Sequence, residues 1–136
     1  MHGHSALAQY QNNHTVGQLT DADPHKLVAM LIGGARQRLQ TARGQIERGE
    51  LAGKLRSIAS AVSIIEGLRI GLDTERGGEI ASNLEQLYDY SLRRLAQANA
   101  TNDTAALDEV LAVLSELATG WDGIRDAPAQ SPGSAA

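Results

Sequence analysis

The clearest structural pattern in the chain is the stretch LDEVLAVLSELATGWDGI, residues 107–124. Six of its large apolar residues recur at intervals of 3, 4, 3, 4 and 3 positions. They are Leu107, Val110, Leu114, Leu117, Trp121 and Ile124. Because an α-helix turns once in about 3.6 residues, this spacing puts all of these side chains on one face. The stretch therefore predicts an amphipathic helix that buries a single apolar stripe.

Three more amphipathic segments precede this helix. The first is expected to begin at Asp23 and Pro24, because aspartate caps helices and proline suits the first helical position, and to stop at Gly49. Its stripe is Val28, Leu31, Ala35, Leu39, Ala42 and Ile46. The stripe of the second is Leu55, Ile58, Val62, Ile65 and Leu72, with Ala61, Ile64 and Leu68 beside it. The stripe of the third is Ile80, Leu84, Leu87, Ser91, Leu95 and Ala98. A break over residues 73–78 precedes the third segment, and Asn102 is the expected cap of the fourth.

Proline placement indicates how the segments are organised. Residues 25–127 contain no proline, as long helices require. Helices of similar length with short connections favour antiparallel neighbours, so we predict an all-α fold, an antiparallel up-down-up-down four-helix bundle over residues 23–126. Residues 1–22 are expected to form an N-terminal arm or cap with a short helical segment. Residues 127–136 are small, polar and proline-containing, and are expected to form a disordered C-terminal tail.

Two glycine pairs lie inside predicted helices, Gly33-Gly34 and Gly67 with Gly71. Each interior glycine lowers helix stability by about 1 kcal/mol relative to alanine, so a compensating reason is expected. We expect two helices to approach closely at these positions. The alternative is a helix that deforms to accommodate a ligand.

Composition excludes several classes of function. The 136 residues allow one domain, contain no cysteine and carry a formal net charge of −4. Disulfide scaffolds and thiol catalysis are therefore excluded, and no nucleic-acid partner is expected, because sequence-independent binding requires a dense positive field. No apolar run is long enough to span a membrane, so we expect neither stable membrane insertion nor a signal peptide.

Histidines are the remaining candidates for catalysis or metal binding, and all four lie within the first 25 residues. None sits in the body of a predicted helix, so a carboxylate–histidine di-metal site is not expected. His2 and His4 are interpreted as part of a solvated terminus rather than as metal ligands. His25 is the one candidate phosphoryl acceptor, as an alternative hypothesis. Since we recognise no nucleophile–base pair, we expect no catalytic residue, no metal, no cofactor and no enzymatic activity.

Residues 77–90, GGEIASNLEQLYDY, resemble the signature segment of the flagellar secretion chaperone FliS family. Residues 23–35, DPHKLVAMLIGGA, resemble the start of that family's first long helix. Residues 93–99, RRLAQAN, and then Trp121 follow in the family's order. Two departures are Ile32-Gly33, where the family has an aromatic residue and an aspartate, and Asp23, where it has a serine.

The resemblance implies a compact antiparallel helical bundle that acts as a cytoplasmic export chaperone. Members of the family bind the C-terminal segment of flagellin, which is disordered in the monomer, prevent premature polymerisation and aid delivery to the flagellar type III export apparatus. The implied partners are flagellin, the export gate protein FlhA with flagellin bound, and for some members the anti-sigma factor FlgM. The alternative is a generic homodimeric helical-bundle adaptor without chaperone activity.

A groove for such a client is predicted from apolar residues that lie beside the main stripes, because a bundle normally buries one stripe per helix. The predicted client-binding residues are Leu27, Ile32, Ile64, Leu68, Tyr88 and Leu92, with Asn83 as a polar contact. Tyr88 is alternatively a core residue. The resemblance implies that a short N-terminal segment covers the groove, with Leu7 and Tyr10 as its anchors. Alternatively, these two residues pack permanently as a fifth helical element.

Overall fold

The computed structural model describes residues 23–126, and within that range every side chain except those of residues 74, 76 and 124–126. Four helices make up this part of the chain: α1 (Pro24–Glu47), α2 (Leu51–Ile70), α3 (Thr74–Thr101) and α4 (Thr104–Asp126). Residues 23–126 contain no strand, which confirms the predicted all-α class. The predicted N-terminal arm and C-terminal tail lie outside the described residues.

Each helix packs against two neighbours in a closed ring, α1 against α2 and α4, and α3 against the same two helices. Contacts between helix ends give the directions. Arg43, near the end of α1, binds Asp108, near the start of α4, with 2.7 Å between Nε and Oδ1. Lys54, at the start of α2, donates from Nζ to the carbonyl oxygen of Asn99 at the end of α3, over 2.8 Å. Neighbouring helices are therefore antiparallel, and the up-down-up-down prediction is confirmed.

The two ends of α1 are formed by the residues that the sequence indicates. The Asp23 carboxylate accepts a hydrogen bond from the backbone N–H of His25 over 3.1 Å, as an N-cap does. At the other end, Gly49 has a φ of 73°, a left-handed conformation that glycine adopts without strain. The Gly49 N–H donates to Ile46 (3.1 Å) and the Glu50 N–H to Gln45 (2.8 Å), which is the Schellman arrangement.

The predicted cap of α4 is wrong by one residue. Asn102 has a φ of 55° and belongs to the end of α3, where the following N–H, of Asp103, donates back to the Ala98 carbonyl over 3.2 Å. The Asp103 carboxylate is the N-cap of α4, because it accepts from the backbone N–H groups of Ala105 (3.0 Å) and Ala106 (3.3 Å). Asparagine tolerates the left-handed region, so it ends one helix while aspartate starts the next.

Replacing Asp103 by alanine is expected to lower the free energy of unfolding by about 1 kcal/mol, because two N–H groups at the start of α4 lose their acceptor. Urea unfolding followed by circular dichroism measures this change. Asn102→Gly is the control, since glycine is at ease at positive φ, and it is expected to keep the wild-type midpoint. A larger loss for Asn102→Gly than for Asp103→Ala would contradict this assignment of the cap.

The core consists mainly of leucine, isoleucine and alanine, in line with a chain that has no phenylalanine. Five alanines are completely buried, at Ala35, Ala42, Ala61, Ala98 and Ala106. Since alanine has the smallest side chain with a β-carbon, these positions let neighbouring helices pack closely while large aliphatic residues fill the space between them. The buried large residues include Leu39, Ile65, Leu95, Leu107 and Leu114.

Three residues that the stripes place in the core lie at the surface instead. Leu55, Ile80 and Leu87 are exposed, whereas Ile64 on α2 and Tyr88 on α3 are buried. In α2 the reason is that apolar residues occur on several sides, so their spacing does not define one face. In α3 the buried face runs through Ala81, Tyr88 and Ser91, so Ile80 and Leu87 stand one position away from it and point outward.

Neither Gly33 nor Gly71 marks a close contact between two helices. A β-carbon added at Gly33 would meet no atom within 4 Å, and one added at Gly71 would meet only carbonyl oxygens of its own helix, at 3.4 Å and beyond. The close-approach interpretation is therefore wrong for both residues. Gly67 and Gly71 instead line an apolar groove.

Candidate binding groove

An apolar groove opens at the end of the bundle where α1 and α3 begin and α2 and α4 end. It encloses about 530 Å³. Its walls are formed by Leu27, Val28, Leu31, Gly67, Leu68, Gly71, Leu72, Asp73, Gly77, Ile80, Ala81, Leu84, Tyr88 and Trp121. Apart from Asp73, Tyr88 and Trp121, these residues are aliphatic or glycine. The groove therefore offers a bound chain mainly apolar surface, as sites for amphipathic segments do.

Missing side chains explain why the helices leave space here. Gly67 lies in the last turn of α2, Gly71 is the residue that caps its end, and Gly77 lies in the first turn of α3. At Gly77 a β-carbon would come within 2.6 Å of the Ala81 β-carbon, so no larger residue fits without movement. The following residue, Gly78, has φ 57° and ψ −130°, a conformation open essentially only to glycine. This bend sets the course of α3 past the groove.

Ile80 is an exposed isoleucine at the groove, and Ile70 is an exposed isoleucine outside it. Ile80 lines it and is 62% exposed, and Ile70, on the last turn of α2, is 79% exposed but does not line it. Covering such side chains is favourable by about 25 cal/mol per Å² of apolar surface removed from water. Exposed aliphatic residues that adjoin an apolar groove are typical of interaction sites.

Trp121 and His25 form a reciprocal pair at the groove. The indole Nε1–H of Trp121 donates to the His25 carbonyl over 2.8 Å, and Nε2 of His25 lies 2.6 Å from the Trp121 carbonyl oxygen. A carbonyl can only accept, so the imidazole carries its proton on Nε2. The two rings are stacked, with centroids 4.6 Å apart and planes inclined by 10°. The start of α1 is thereby joined to the end of α4.

The same contacts bear on the phosphoryl-acceptor hypothesis for His25. Nε2 is engaged with Trp121, and Nδ1 is buried without a hydrogen-bond partner among the described residues. Neither nitrogen is open to a phosphodonor, so the geometry does not favour phosphotransfer through this residue. Across residues 23–126, no group of three or more histidine or acidic side chains is placed to hold a metal ion.

The structure brings three of the predicted client-binding residues together. Leu27, Leu68 and Tyr88 line the groove. Burial raises the pKa of the Tyr88 hydroxyl, so this side chain is neutral at physiological pH. The alternative assignment of Tyr88 to the core also has support, because its ring packs within the core cluster.

The other four predicted residues lie elsewhere. Ile32 and Ile64 are 1% and 2% exposed, pack in the core and do not line the groove. Leu92 is half-buried against the core. Asn83 is exposed in a separate shallow depression on α3, which Leu87 and Tyr90 also line. Leu7 and Tyr10 lie outside the described residues.

Several groove residues belong to the apolar stripes that the sequence pattern places in the core. They are Val28, Leu31, Leu72, Ile80, Leu84 and Trp121. The sequence signal that does point to the groove is the recurrence of glycine at the junction of α2 and α3, at Gly67, Gly71 and Gly77. Stripe residues that face these glycines have no side chain packed over them, so they remain open to the groove.

Two groups of charged contacts lie away from the groove. At the opposite end of the bundle, the guanidinium of Arg43 holds the pKa of the Asp108 carboxyl below its usual range. On the outer side of α3 and α4, Tyr90 and Arg94 both donate to Glu109 and lower its pKa. Among the helices described, none is long and apolar enough to cross a membrane.

Known proteins match the sequence of this chain over nearly its whole length. The family described as "Flagellar protein FliS" matches residues 5–128. The flagellar secretion chaperone FliSB of Pseudomonas aeruginosa is 48% identical over 124 residues, which are 91% of this chain and 98% of that protein. The flagellar secretion chaperone FliS of Salmonella typhimurium is 42% identical over 125 residues, 91% of this chain and 93% of that protein. The corresponding protein of Vibrio cholerae is 39% identical over 119 residues, 88% of each chain. With an antiparallel four-helix bundle and a match of this extent, the chain belongs to the FliS family of flagellar secretion chaperones.

Proposed function

We propose that this protein is a cytoplasmic, non-enzymatic export chaperone whose groove binds the C-terminal segment of flagellin. By holding that segment it would prevent premature polymerisation and aid delivery to the flagellar type III export apparatus. The observation that carries the proposal is the apolar groove of about 530 Å³ with an exposed Ile80 at its edge, in a chain of the FliS family. Leu27, which is half-buried, is a proposed contact inside the groove, and Leu68 and Tyr88, which are buried, are proposed to form the floor on which the client rests.

The physical basis is helix-in-groove recognition. An amphipathic segment places its apolar residues in the groove and leaves its polar residues in water. A client that is disordered when free loses conformational entropy on binding, so it needs an interface larger than a single groove. Asn83, on the exposed side of α3, is proposed as a further contact along such an extended interface.

The N-terminal arm is proposed to cover the groove in the absence of client, with Leu7 and Tyr10 as anchors. Support comes from chain length and position. Residue 23 lies at the groove end of the bundle, so the residues before it start close to the groove. An extended chain covers at most about 3.3–3.6 Å per residue, so the proposed anchors are within reach of the groove. Such a cap competes with the client, so it lowers the apparent affinity by the fraction of molecules that are closed.

Further partners are proposed from family membership. These are the export gate protein FlhA, which would receive the chaperone with flagellin bound, and the anti-sigma factor FlgM. The second candidate function, a homodimeric adaptor, is favoured by Leu51 and Leu55, which are exposed on α2 at the opposite end of the bundle from the groove. Gel filtration with and without a flagellin C-terminal peptide distinguishes the two. A stable dimer that ignores the peptide would establish the adaptor.

The groove is tested by a matched pair of substitutions, Ile80→Asp and Ile70→Asp. Both isoleucines are exposed, at 62% and 79%, so both variants are expected to fold, but only Ile80 lines the groove. A carboxylate at position 80 would have to be buried beneath the client, which weakens binding by about tenfold or more. Ile70→Asp is expected to stay within about twofold of wild type.

The measurement is fluorescence anisotropy of a labelled flagellin C-terminal peptide titrated with each variant. Circular dichroism confirms that the variants are folded. Equal affinity for wild type and Ile80→Asp would show that the client binds elsewhere. Failure of the wild-type protein to bind the peptide would reject the proposed function itself.

A further inference from the structure

The His25–Trp121 pair has a role that goes beyond joining two helix ends. Trp121 is the only tryptophan in the chain, and it lines the groove. One face of its indole is covered by the His25 imidazole, with 4.6 Å between ring centroids. Its single donor, Nε1–H, is occupied by the His25 carbonyl over 2.8 Å. The indole that lines the groove therefore has no free donor with which to bind a client.

We infer that His25 is a positioning residue that fixes Trp121 as an apolar wall, and that this wall selects a large aliphatic side chain of the client. The inference rests on the proposed function. A polar client group placed there would lose its bonds to water and find no partner on Trp121, which penalises it. An aliphatic side chain has no hydrogen bonds to water to lose, and it gains contact with the ring.

Fixing the ring matters because a freely rotating indole would adapt to different side chains. The 2.8 Å hydrogen bond from Nε1 and the stacked imidazole restrict the rotation of the indole before any client arrives. The imidazole is itself held in place by its 2.6 Å hydrogen bond to the backbone carbonyl of Trp121. Binding then costs less ordering entropy, and a misfitting side chain cannot be accommodated by moving the ring. Loss of His25 removes the stacking and one of the two hydrogen bonds. It is therefore expected to reduce both affinity and discrimination.

The experiment compares wild type, His25→Ala, His25→Phe and Lys26→Ala. His25→Phe keeps a flat ring for stacking but has no nitrogen, and Lys26→Ala is the control on an exposed neighbour in the same helical turn. Each is titrated against the flagellin C-terminal peptide and against peptides in which one large aliphatic residue at a time is replaced by asparagine. Anisotropy gives the affinities, Trp121 emission reports the surroundings of the indole, and urea unfolding checks that each variant is folded.

For wild type, one peptide position is expected to lose at least about tenfold in affinity on replacement by asparagine. In His25→Ala the loss at that same position is expected to shrink by about threefold to tenfold, with the other positions unchanged, as coupled groups require. His25→Phe is expected to restore part of this discrimination, and Lys26→Ala to match wild type. Client binding is expected to shift Trp121 emission in wild type.

Two results would overturn the inference while leaving the proposed function intact. One is wild-type affinity and discrimination in a folded His25→Ala protein. The other is a uniform loss across all peptides, which a purely structural role predicts. If the wild-type protein binds none of the peptides, the proposed function fails and the inference fails with it. That result is distinguished by the wild-type titration alone.

Discussion

Leu39→Ala is expected to lower the free energy of unfolding by about 2–5 kcal/mol. Leu39 lies in the middle of α1 with 0% of its surface exposed, packed in the core cluster. Truncation removes buried methyl groups and leaves a cavity that the surrounding side chains fill only in part. A domain of this size has a total stability of about 5–15 kcal/mol, so the variant would lose a large part of it.

Leu55→Ala is the matched control for this substitution. Leu55 is 51% exposed on α2, so the same truncation removes little buried surface, and a change of no more than about 0.5 kcal/mol is expected. Urea denaturation followed by circular dichroism gives both values on one scale. Similar losses for the two variants would mean that Leu55 is buried in solution, as its place in the apolar stripe of α2 suggests.

Gly78→Ala is expected to lower the free energy of unfolding by about 1–3 kcal/mol. The cause is the backbone alone, because Gly78 has φ 57° and ψ −130° while an added β-carbon would meet no atom within 4 Å. An alanine at this position must either adopt a strained conformation or shift the start of α3. A shift would move Ile80 and Gly77 at the groove, so peptide affinity is expected to fall as well.

Gly33→Ala isolates that backbone effect, because its added β-carbon also meets nothing within 4 Å, while Gly33 has ordinary helical geometry within α1. The free energy of unfolding of this variant is expected to rise by about 1 kcal/mol, since alanine is a better helix former than glycine. The two substitutions are chemically identical and are expected to have opposite signs. A destabilised Gly33→Ala protein would point to a partner packed on that surface.

Local signals in the sequence were sufficient for the helices and most of their ends. Asp23 and Gly49 act through their own side chain or backbone freedom, so their positions can be predicted without knowledge of the fold. The roles of Asn102 and Asp103 are harder to predict, because either asparagine or aspartate can end one helix or start the next. Their roles depend on which carbonyl and N–H groups the turn presents.

The orientation of the helices could be predicted only in part. α4 has one apolar stripe, and its members Leu107, Val110 and Leu114 are all buried. α2 has apolar residues on several sides, so only packing against α1 and α3 decides that Ile64 is buried and Leu55 is exposed. The groove is harder still to predict from local sequence, because it forms where four helix ends leave space between them. Ile32 and Trp121 therefore had to be placed by the three-dimensional structure.

The buried amine of Lys54 makes the opening of one helix contact chemically visible. The chain has two lysines, Lys26 and Lys54, of which the first is exposed and the second donates to the end of α3. A reagent that acylates amines reaches Lys26 at once, but reaches Lys54 when α2 and α3 separate at that end. The relative acylation rates of the two lysines, read by peptide mass spectrometry, thus report how often this contact opens.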